Sequence, residues 1–182
     1  MTTARAIGLL LGVAADGTLT DPRRGHPVAV FGRLAARTER LLYRDSRLVG
    51  SLHAALLSGG VVLLGVAVER VGRRHGLLQA LSTAAATWMV LGGASLAGQA
   101  TAMGRELDAG ELDAARQRLP NLCGRDPASL NNTGLATATV ESVAENTSDA
   151  VVAPLLWGAF AGVPGLLGYR PARPGAGRRS AA

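Results

Sequence analysis

The chain has 182 residues, of which 48% are hydrophobic, 18% are charged and only 3% are aromatic. Its formal charge of +6 comes from 19 arginines against 13 acids, with no lysine, and a single cysteine excludes an intramolecular disulfide framework. A mean hydropathy of +0.22 favours a membrane protein, and the scarcity of aromatic residues argues against a soluble nucleic-acid binder, which is the most distant alternative.

The first apolar stretch, residues 6–15, follows Arg5 and is too short to cross a bilayer as a helix. The polar residues that come next do not resemble a signal-peptide cleavage site. We therefore expect a half-spanning or re-entrant segment that packs on the other helices.

Three longer stretches contain no Asp, Glu or Arg, namely residues 48–68, 75–104 and 150–169. Each reaches the roughly 20 residues that a helix needs to cross a membrane, and none carries the charged face of a soluble amphipathic helix. The alternative is a set of buried helices in a soluble bundle, which would leave little chain to cover them. The predicted fold class is therefore an all-α, multi-pass integral membrane protein with two polar loops.

The two long polar loops, residues 16–47 and 105–149, together hold eleven arginines. The positive-inside rule places both on the cytoplasmic side of the inner membrane. Residues 105–119 predict one amphipathic helix that Pro120 ends, with Leu107, Leu112, Ala115 and Leu119 toward one side, and residues 135–146 predict a second helix. Residues 170–182, rich in Arg, Pro and Gly, are predicted to be disordered.

Three carboxylates stand close together before the last apolar stretch. On the predicted helix, Glu141 and Glu145 are four residues apart and share a face, so their charges repel each other unless an arginine, a metal ion or a cationic substrate compensates them. With Asp149 nearby, these oxygen ligands suit Mg²⁺. The alternative is a solvated helix face followed by a Thr-Ser-Asp cap for the next helix.

A second polar cluster lies in the first loop, where prolines and a glycine fix an irregular chain around Arg23, Arg24 and His26. The two guanidinium groups suit a phosphate or a carboxylate, and His26 suits proton transfer near neutral pH. The alternative is a basic loop that touches anionic lipid. Arg125 and Asp126 form a third candidate, for which a local salt bridge is the simpler interpretation.

Several of these segments resemble one family. Residues 140–157, VESVAENTSDAVVAPLLW, closely resemble the signature of the CobD/CbiB family, the adenosylcobinamide-phosphate synthases. Residues 123–126, CGRD, resemble the family's GRD segment, residues 21–27, DPRRGHP, its DP…HP motif, and residues 162–170 the stretch after the signature. On these motifs the chain is identified as a member of the family, with residues 1–169 as the N-terminal part of its membrane domain.

The resemblance implies a ligase of cobalamin biosynthesis that joins aminopropanol, or its O-phosphate, to a propionate carboxylate of adenosylcobyric acid. The product is adenosylcobinamide or its phosphate, and the reaction is expected to consume ATP with Mg²⁺. The implied catalytic residues are Glu141, Glu145, Asp149 and His26. The implied substrate-binding residues are Arg23, Arg24, Arg125, Asp126, Asn146 and Ser148. The implied Mg²⁺ ligands are Glu141 and Glu145.

The chain departs from the family pattern at Pro127 and Ala150, where Thr and Gly are commonest, and most of all at its end. Members of the family continue with an Asn-Thr-Leu-Asp segment and further helices, whereas residues 170–182 resemble out-of-frame translation. The rival interpretation is a truncated, inactive membrane protein that at most binds corrinoid or scaffolds a biosynthetic complex. Corrinoid binding without product formation would discriminate the two.

Overall fold

The computed structural model describes residues 2–19, 37 and 47–169. All secondary structure in these residues is helical, as the sequence predicts. The helices are, in chain order, α1 (Thr3–Thr18), α2 (Arg47–Gly72), α3 (Gly76–Val90), α4 (Gly93–Asp108), α5 (Leu112–Arg118), a 3₁₀ turn (Leu119–Asn121), α6 (Asn132–Thr147), a π-helical turn (Ser148–Val152), α7 (Ala153–Ala161) and α8 (Val163–Tyr169).

The chain divides into two compact units. The first combines Met1–Leu91 with Pro154–Ala182, and the second is Gly92–Ala153. Within the first unit α1 packs on α3, because a Cβ atom at Gly12 would lie only 2.4 Å from Cβ of Thr87 and 2.8 Å from the carbonyl oxygen of Ala84. Only a residue without a side chain allows so close an approach. The first apolar stretch therefore packs on another helix, as predicted, and its re-entrant character stays a prediction.

Two described stretches are long and apolar enough to cross a membrane. They are Gly50–Gly72, with a mean hydropathy of 2.0, and Gly76–Asp108, with a mean hydropathy of 1.3. The first confirms the helix predicted from residues 48–68. The second contains a break, because Leu91 adopts extended backbone with ψ 154° before α4 begins. The stretch predicted as a span over residues 75–104 is thus long and apolar enough but is formed by two helices, with the weak helix formers Gly92 and Gly93 at the interruption.

The third predicted span, residues 150–169, is also broken. The chain turns at Gly162, whose φ of 71° is left-handed and favours glycine, and α7 before it has nine residues. The helical backbone before this turn is continuous with the π-helical turn and α6, so the interruption of the predicted span lies at Gly162. A single spanning helix over residues 150–169 is thus not observed, and the multi-pass arrangement stays a prediction.

The second unit is built around a small apolar core. The helix predicted over residues 105–119 is broken at Gly110, whose φ is 75°, so that prediction is wrong in its continuity. It is correct in its apolar face, because Ala115 and Leu119 are buried in the core, with Leu107 and Leu112 packed against it. The other buried core residues are Met103, Leu122, Leu135 and Ala138.

The corner between α4 and α5 is closed by an ion pair. Nε of Arg118 donates to both carboxylate oxygens of Glu106, each at 2.9 Å, and Nη1 donates to Oε1 of Gln99 at 3.2 Å. Hydrogen bonding to Glu106 raises the pKa of Arg118 above its ordinary value. The ion pair therefore favours the charged form of the guanidinium.

The helix predicted over residues 135–146 is confirmed as α6. Its N-cap is Asn131, whose Oδ1 accepts a hydrogen bond from the backbone N–H of Gly134 at 2.9 Å and so satisfies one unpaired donor of the first turn. At its other end the backbone stays right-handed helical through Thr147 and Ser148 and widens into the π-helical turn. The alternative of a Thr-Ser-Asp cap between two separate helices is therefore wrong.

Candidate active site

The candidate site of the second unit lies where the segment of residues 122–126 meets α6. α6 presents Leu135, Ala138, Thr139 and Ser142 as its buried face. Leu122 follows the 3₁₀ turn and inserts its side chain into the same core. Apolar packing thus brings the CGRD segment, residues 123–126, against the helix that carries the family-like signature.

Two side chains of α6 bind the backbone of this segment. Oγ of Ser142 donates to the carbonyl oxygen of Leu122 at 2.7 Å, and Nδ2 of Asn146 lies 3.3 Å from the same oxygen. Nδ2 of Asn146 also lies 2.8 Å from the carbonyl oxygen of Ser142 and 3.0 Å from its Oγ. We call the arrangement of Ser142 and Asn146 on the Leu122 carbonyl the Leu122 clamp.

Arg125 and Glu141 form an ion pair beside the clamp, between Nη2 and Oε2. Each side chain is about half exposed, at 55% and 54%, so both groups are in contact with solvent. An arginine is therefore the compensating group observed at Glu141. Arg125 therefore forms its salt bridge with Glu141 and not with Asp126, whose Oδ1 accepts the N–H of Ala128 at 3.0 Å and closes a turn.

The remaining predicted site residues fall into two groups. Glu145 is exposed on α6, Ser148 is exposed at the start of the π-helical turn, and Asp149 is partly buried within that turn. Such π-helical turns are rare and are frequent at functional sites. Arg23, Arg24 and His26 lie outside the described residues, so their predicted roles stay predictions.

A magnesium site is not assembled in the described part of the chain. No group of three or more His, Cys, Asp or Glu residues there is placed to hold a metal ion, and Glu141 already has Arg125 as its partner. The donor set is therefore incomplete for Mg²⁺, which takes six oxygen ligands, although waters and substrate phosphates can supply several. Glu141 and Glu145 as Mg²⁺ ligands stay a prediction, through which we derive no step.

A groove of about 610 Å³ runs between α4 and α6. At 100° per residue, Ala136, Val140 and Ala144 form a different face of α6 from Glu141 and Glu145. The groove is lined by Ala100, Met103, Gly104, Leu107, Asp108, Asn132, Ala136, Thr139, Val140, Val143 and Ala144. It is thus a mainly apolar surface on a separate side of the signature helix.

A buried ion pair in the first unit was not foreseen from the sequence. Nη2 of Arg5 donates to Oε1 of Glu69 at 2.6 Å, and both side chains are almost fully buried. Nε2 of Gln79 donates to the same oxygen at 3.3 Å, and Oε2 of Glu69 accepts the N–H of Val163 at 3.1 Å. Glu69 therefore joins α1 and α3 to the start of α8.

This buried pair also explains why glycine occupies the turn at Gly162. A Cβ atom there would lie 2.7 Å from Oε2 of Glu69 and 2.9 Å from Nη2 of Arg5. The sequence signal that could have found the pair is positional, since Arg5 is the only charge before Asp16 and Glu69 directly follows the apolar run of residues 48–68. Charges at such positions need a partner when apolar helices pack together.

Comparison with known proteins gives consistent relatives. A family model described as CobD/Cbib protein matches residues 9–173. The cobalamin biosynthesis protein CobD of Mycobacterium tuberculosis (strain ATCC 25618 / H37Rv) is 52% identical over 166 residues, which are 91% of this chain and 52% of that protein. The proteins of the same name from Rhodobacter capsulatus and Chromobacterium violaceum are 38% and 36% identical, over 91% of this chain in each case and 53% and 54% of their own length.

The chain thus spans about half the length of these curated relatives. No solved structure matches it.

Proposed function

This chain belongs to the CobD/CbiB family, and we propose from that membership that it acts in cobalamin biosynthesis. The observation that carries the proposal is the family match over residues 9–173, together with 52% identity to a cobalamin biosynthesis protein. The specific reaction proposed is amide formation between a propionate carboxylate of adenosylcobyric acid and the amine of aminopropanol or its O-phosphate. The protein is then an amide-forming ligase.

The chemistry of this reaction sets what the site must do. Amide formation from a carboxylate and an amine releases water and is unfavourable in water, so we propose that ATP, with Mg²⁺, supplies the driving force. The amine reaches the site as an ammonium ion. The acids Glu141, Glu145 and Asp149 follow one another along α6 and the π-helical turn, and we propose that they hold this cation and take up its proton.

The anionic parts of the substrates need positive partners. Arg125 is half exposed beside Glu141, and guanidinium groups bind phosphate and carboxylate in a two-pronged geometry. We propose Arg125 for this role, together with Arg23 and Arg24. His26 is proposed as a proton-transfer group, and Asp126 and Ser148 as further substrate-binding residues.

We propose an inner-membrane location with the motif loops in the cytoplasm. Only 6% of the Gly50–Gly72 window is buried inside the protein, and Leu56, Leu63 and Leu64 on α2 are among its exposed apolar side chains. A core helix of a soluble protein would be mostly covered, whereas exposed apolar surface of this extent is typical of contact with lipid. A cytoplasmic site would have access to ATP.

The experiment measures product formation in membranes. The chain, and in parallel the full-length relative from Mycobacterium tuberculosis, is expressed in a host that lacks its own family member. Membranes are incubated with adenosylcobyric acid, aminopropanol O-phosphate, ATP and Mg²⁺, and adenosylcobinamide phosphate is quantified by mass spectrometry. Product that depends on the expressed protein supports the proposal, and corrinoid binding without product supports the non-catalytic rival for this chain.

The carboxylate roles are tested with matched variants. Glu141→Gln and Glu145→Gln are each expected to lower kcat about 100-fold or more, the usual cost of losing a proton-transfer group. Glu111→Gln, in the exposed turn before α5, removes a charge from the same unit and is the control. Full activity in both Glu141→Gln and Glu145→Gln would refute the assignment.

A further inference from the structure

We propose that Ser142 and Asn146 are positioning residues, which hold the carbonyl group of Leu122 and thereby place Arg125 beside Glu141 to receive the phosphate of the amine substrate. This inference deepens the proposed function and rests on it for the identity of the substrate. Its structural part, the Leu122 clamp, stands on contacts within the second unit alone.

The clamp meets a specific need of the backbone. The carbonyl groups that end a helical turn lack partners along the chain, and Leu122 stands directly after the 3₁₀ turn with its side chain in the core. Its oxygen is therefore held away from water. Ser142, itself buried, donates at 2.7 Å and so supplies the bond that the local backbone cannot.

The amide of Asn146 is committed to the same task. Its Nδ2 has two hydrogen atoms and faces the carbonyl oxygens of Leu122 and Ser142 and the hydroxyl oxygen of Ser142, all within 3.3 Å. The hydrogen atoms of that nitrogen are therefore used in contacts within the protein and are not available to a ligand. We assign Asn146 an indirect role in place of the substrate contact that the family resemblance implies.

The relative strength of the contacts decides which of them holds the segment. An ion pair as exposed as that of Arg125 and Glu141 contributes little to stability. Breaking the clamp, in contrast, leaves the buried oxygen of Leu122 with an incomplete set of partners. The clamp therefore fixes the segment, and Arg125 is free to exchange Glu141 for a substrate anion without releasing it.

Arg125 is closely coupled to the clamp through the chain. Arg125 follows Leu122 by three residues, and three residues span at most about 11 Å. On its other side the turn at Asp126 restricts the backbone. A shift of the Leu122 carbonyl therefore displaces the backbone that carries Arg125.

Cys123 provides the probe for the structural part. It is the only cysteine of the chain and adjoins Leu122, and it is partly buried. Its maleimide labelling rate in the membrane-embedded chain reports opening of the segment. We expect Ser142→Ala and Asn146→Asp each to raise that rate about fivefold or more, since the first removes a buried hydrogen bond to the Leu122 carbonyl and the second a partly buried one.

The matched control is Thr139→Val. Thr139 is also buried on α6, and its hydroxyl donates to the carbonyl oxygen of Leu135 in its own helix at 2.7 Å. This variant removes a buried hydroxyl group without touching Leu122, and we expect labelling at the wild-type rate. Helical circular dichroism is recorded for every variant, so that faster labelling is interpreted only where the helix content is unchanged. Labelling of Ser142→Ala and Asn146→Asp at the control rate overturns the proposal.

The functional part is tested by the choice of amine. We expect Ser142→Ala, which adds no charge near the phosphate, to raise KM for aminopropanol O-phosphate at least about tenfold more than KM for unphosphorylated aminopropanol, with kcat less affected, because a displaced Arg125 loses the phosphate. In an Arg125→Gln background the same change is expected to have no further effect on the KM ratio. Equal effects on the two amines, or additive effects in the double variant, overturn the positioning role. If the wild type forms no product while the Cys123 labelling rates of the variants differ as expected, the proposed function is refuted and the clamp is not. The two failures are therefore distinguishable.

Discussion

The replacement Glu69→Gln tests whether the buried ion pair stabilises the first unit. The change removes one charge but preserves the size and shape of the side chain. The amide oxygen can still accept the N–H of Val163, as Oε2 of Glu69 does at 3.1 Å. What is lost is the negative charge opposite Arg5, whose guanidinium is then left with the carbonyl oxygen of Ala159 at 3.3 Å.

The size of the effect follows from burial. Arg5 is 7% exposed and Glu69 is 5% exposed, and removing one partner of a buried ion pair costs about 3–5 kcal/mol because the other charge stays buried and unpaired. Because glutamine keeps an amide oxygen in place, we expect the free energy of unfolding to fall by an amount near the lower end of this range, about 3 kcal/mol. That is a large fraction of the roughly 5–15 kcal/mol by which a typical protein is stable.

The chain carries a suitable probe and a matched control. Its two tryptophans, Trp88 and Trp157, both lie in the first unit, so their fluorescence follows unfolding of that unit during titration of the micellar protein with a denaturing detergent. The matched control is Arg73→Gln. Nε of Arg73 lies 3.3 Å from Oε1 of Glu69, but the arginine side chain is 64% exposed, so its loss is expected to lower the free energy of unfolding by no more than about 0.5 kcal/mol.

A double variant separates loss of a contact from burial of an unpaired charge. Arg5→Met combined with Glu69→Gln leaves no uncompensated charge, and we expect it to be more stable than Glu69→Gln alone. If Glu69→Gln unfolds at the detergent concentration of the wild type, or if the double variant is the less stable of the two, the assignment of a stabilising buried pair is refuted.

The remaining predictions concern four glycine variants. Gly12→Ala is expected to destabilise the first unit by about 1–3 kcal/mol, because its Cβ would lie 2.4 Å from that of Thr87. A Cβ atom at Gly17, on the same helix, would have no neighbour within 4 Å, so Gly17→Ala is expected to be neutral or slightly stabilising. Tryptophan fluorescence during unfolding compares the two variants. Gly110→Ala has no neighbour within 4 Å but has a φ of 75°, and is expected to cost the second unit about 1–2 kcal/mol by backbone conformation alone. Gly110→Asn should cost less, since asparagine tolerates this region, and Cys123 labelling in denaturant checks the order; equal stability of the two variants would contradict a backbone origin.

Helix positions were predictable from local patterns. The apolar run of residues 48–68 and the sequence around residues 135–146 each determine a helix from neighbouring residues, and α2 and α6 contain both. The interruptions were not predictable, because a glycine in an apolar run is compatible with a helix until a neighbour requires a turn. At Gly162 that neighbour is Glu69, whose carboxylate leaves no room for a side chain.

The candidate site was predictable in its residue types but not in its pairings. The spacing of Glu141 and Glu145 indicated that a compensating charge was needed, without indicating that Arg125 supplies it from 16 residues earlier. Arg5 and Glu69 are 64 residues apart, a separation at which only tertiary packing determines a partner. The Leu122 clamp was harder still to predict, because its acceptor is a backbone oxygen, which no residue type in the sequence identifies.

The family-like signature of residues 140–157 has two physical origins. Its first part supplies the polar groups of the second unit, with Glu141, Ser142 and Asn146 all engaged with the segment of residues 122–126. Its last part, from Pro154 onward, belongs to the first unit, where Pro154 is fully buried and contributes no titratable group. The two parts of the signature therefore meet different physical requirements, since the polar part makes contacts within the second unit and Pro154 is buried within the first.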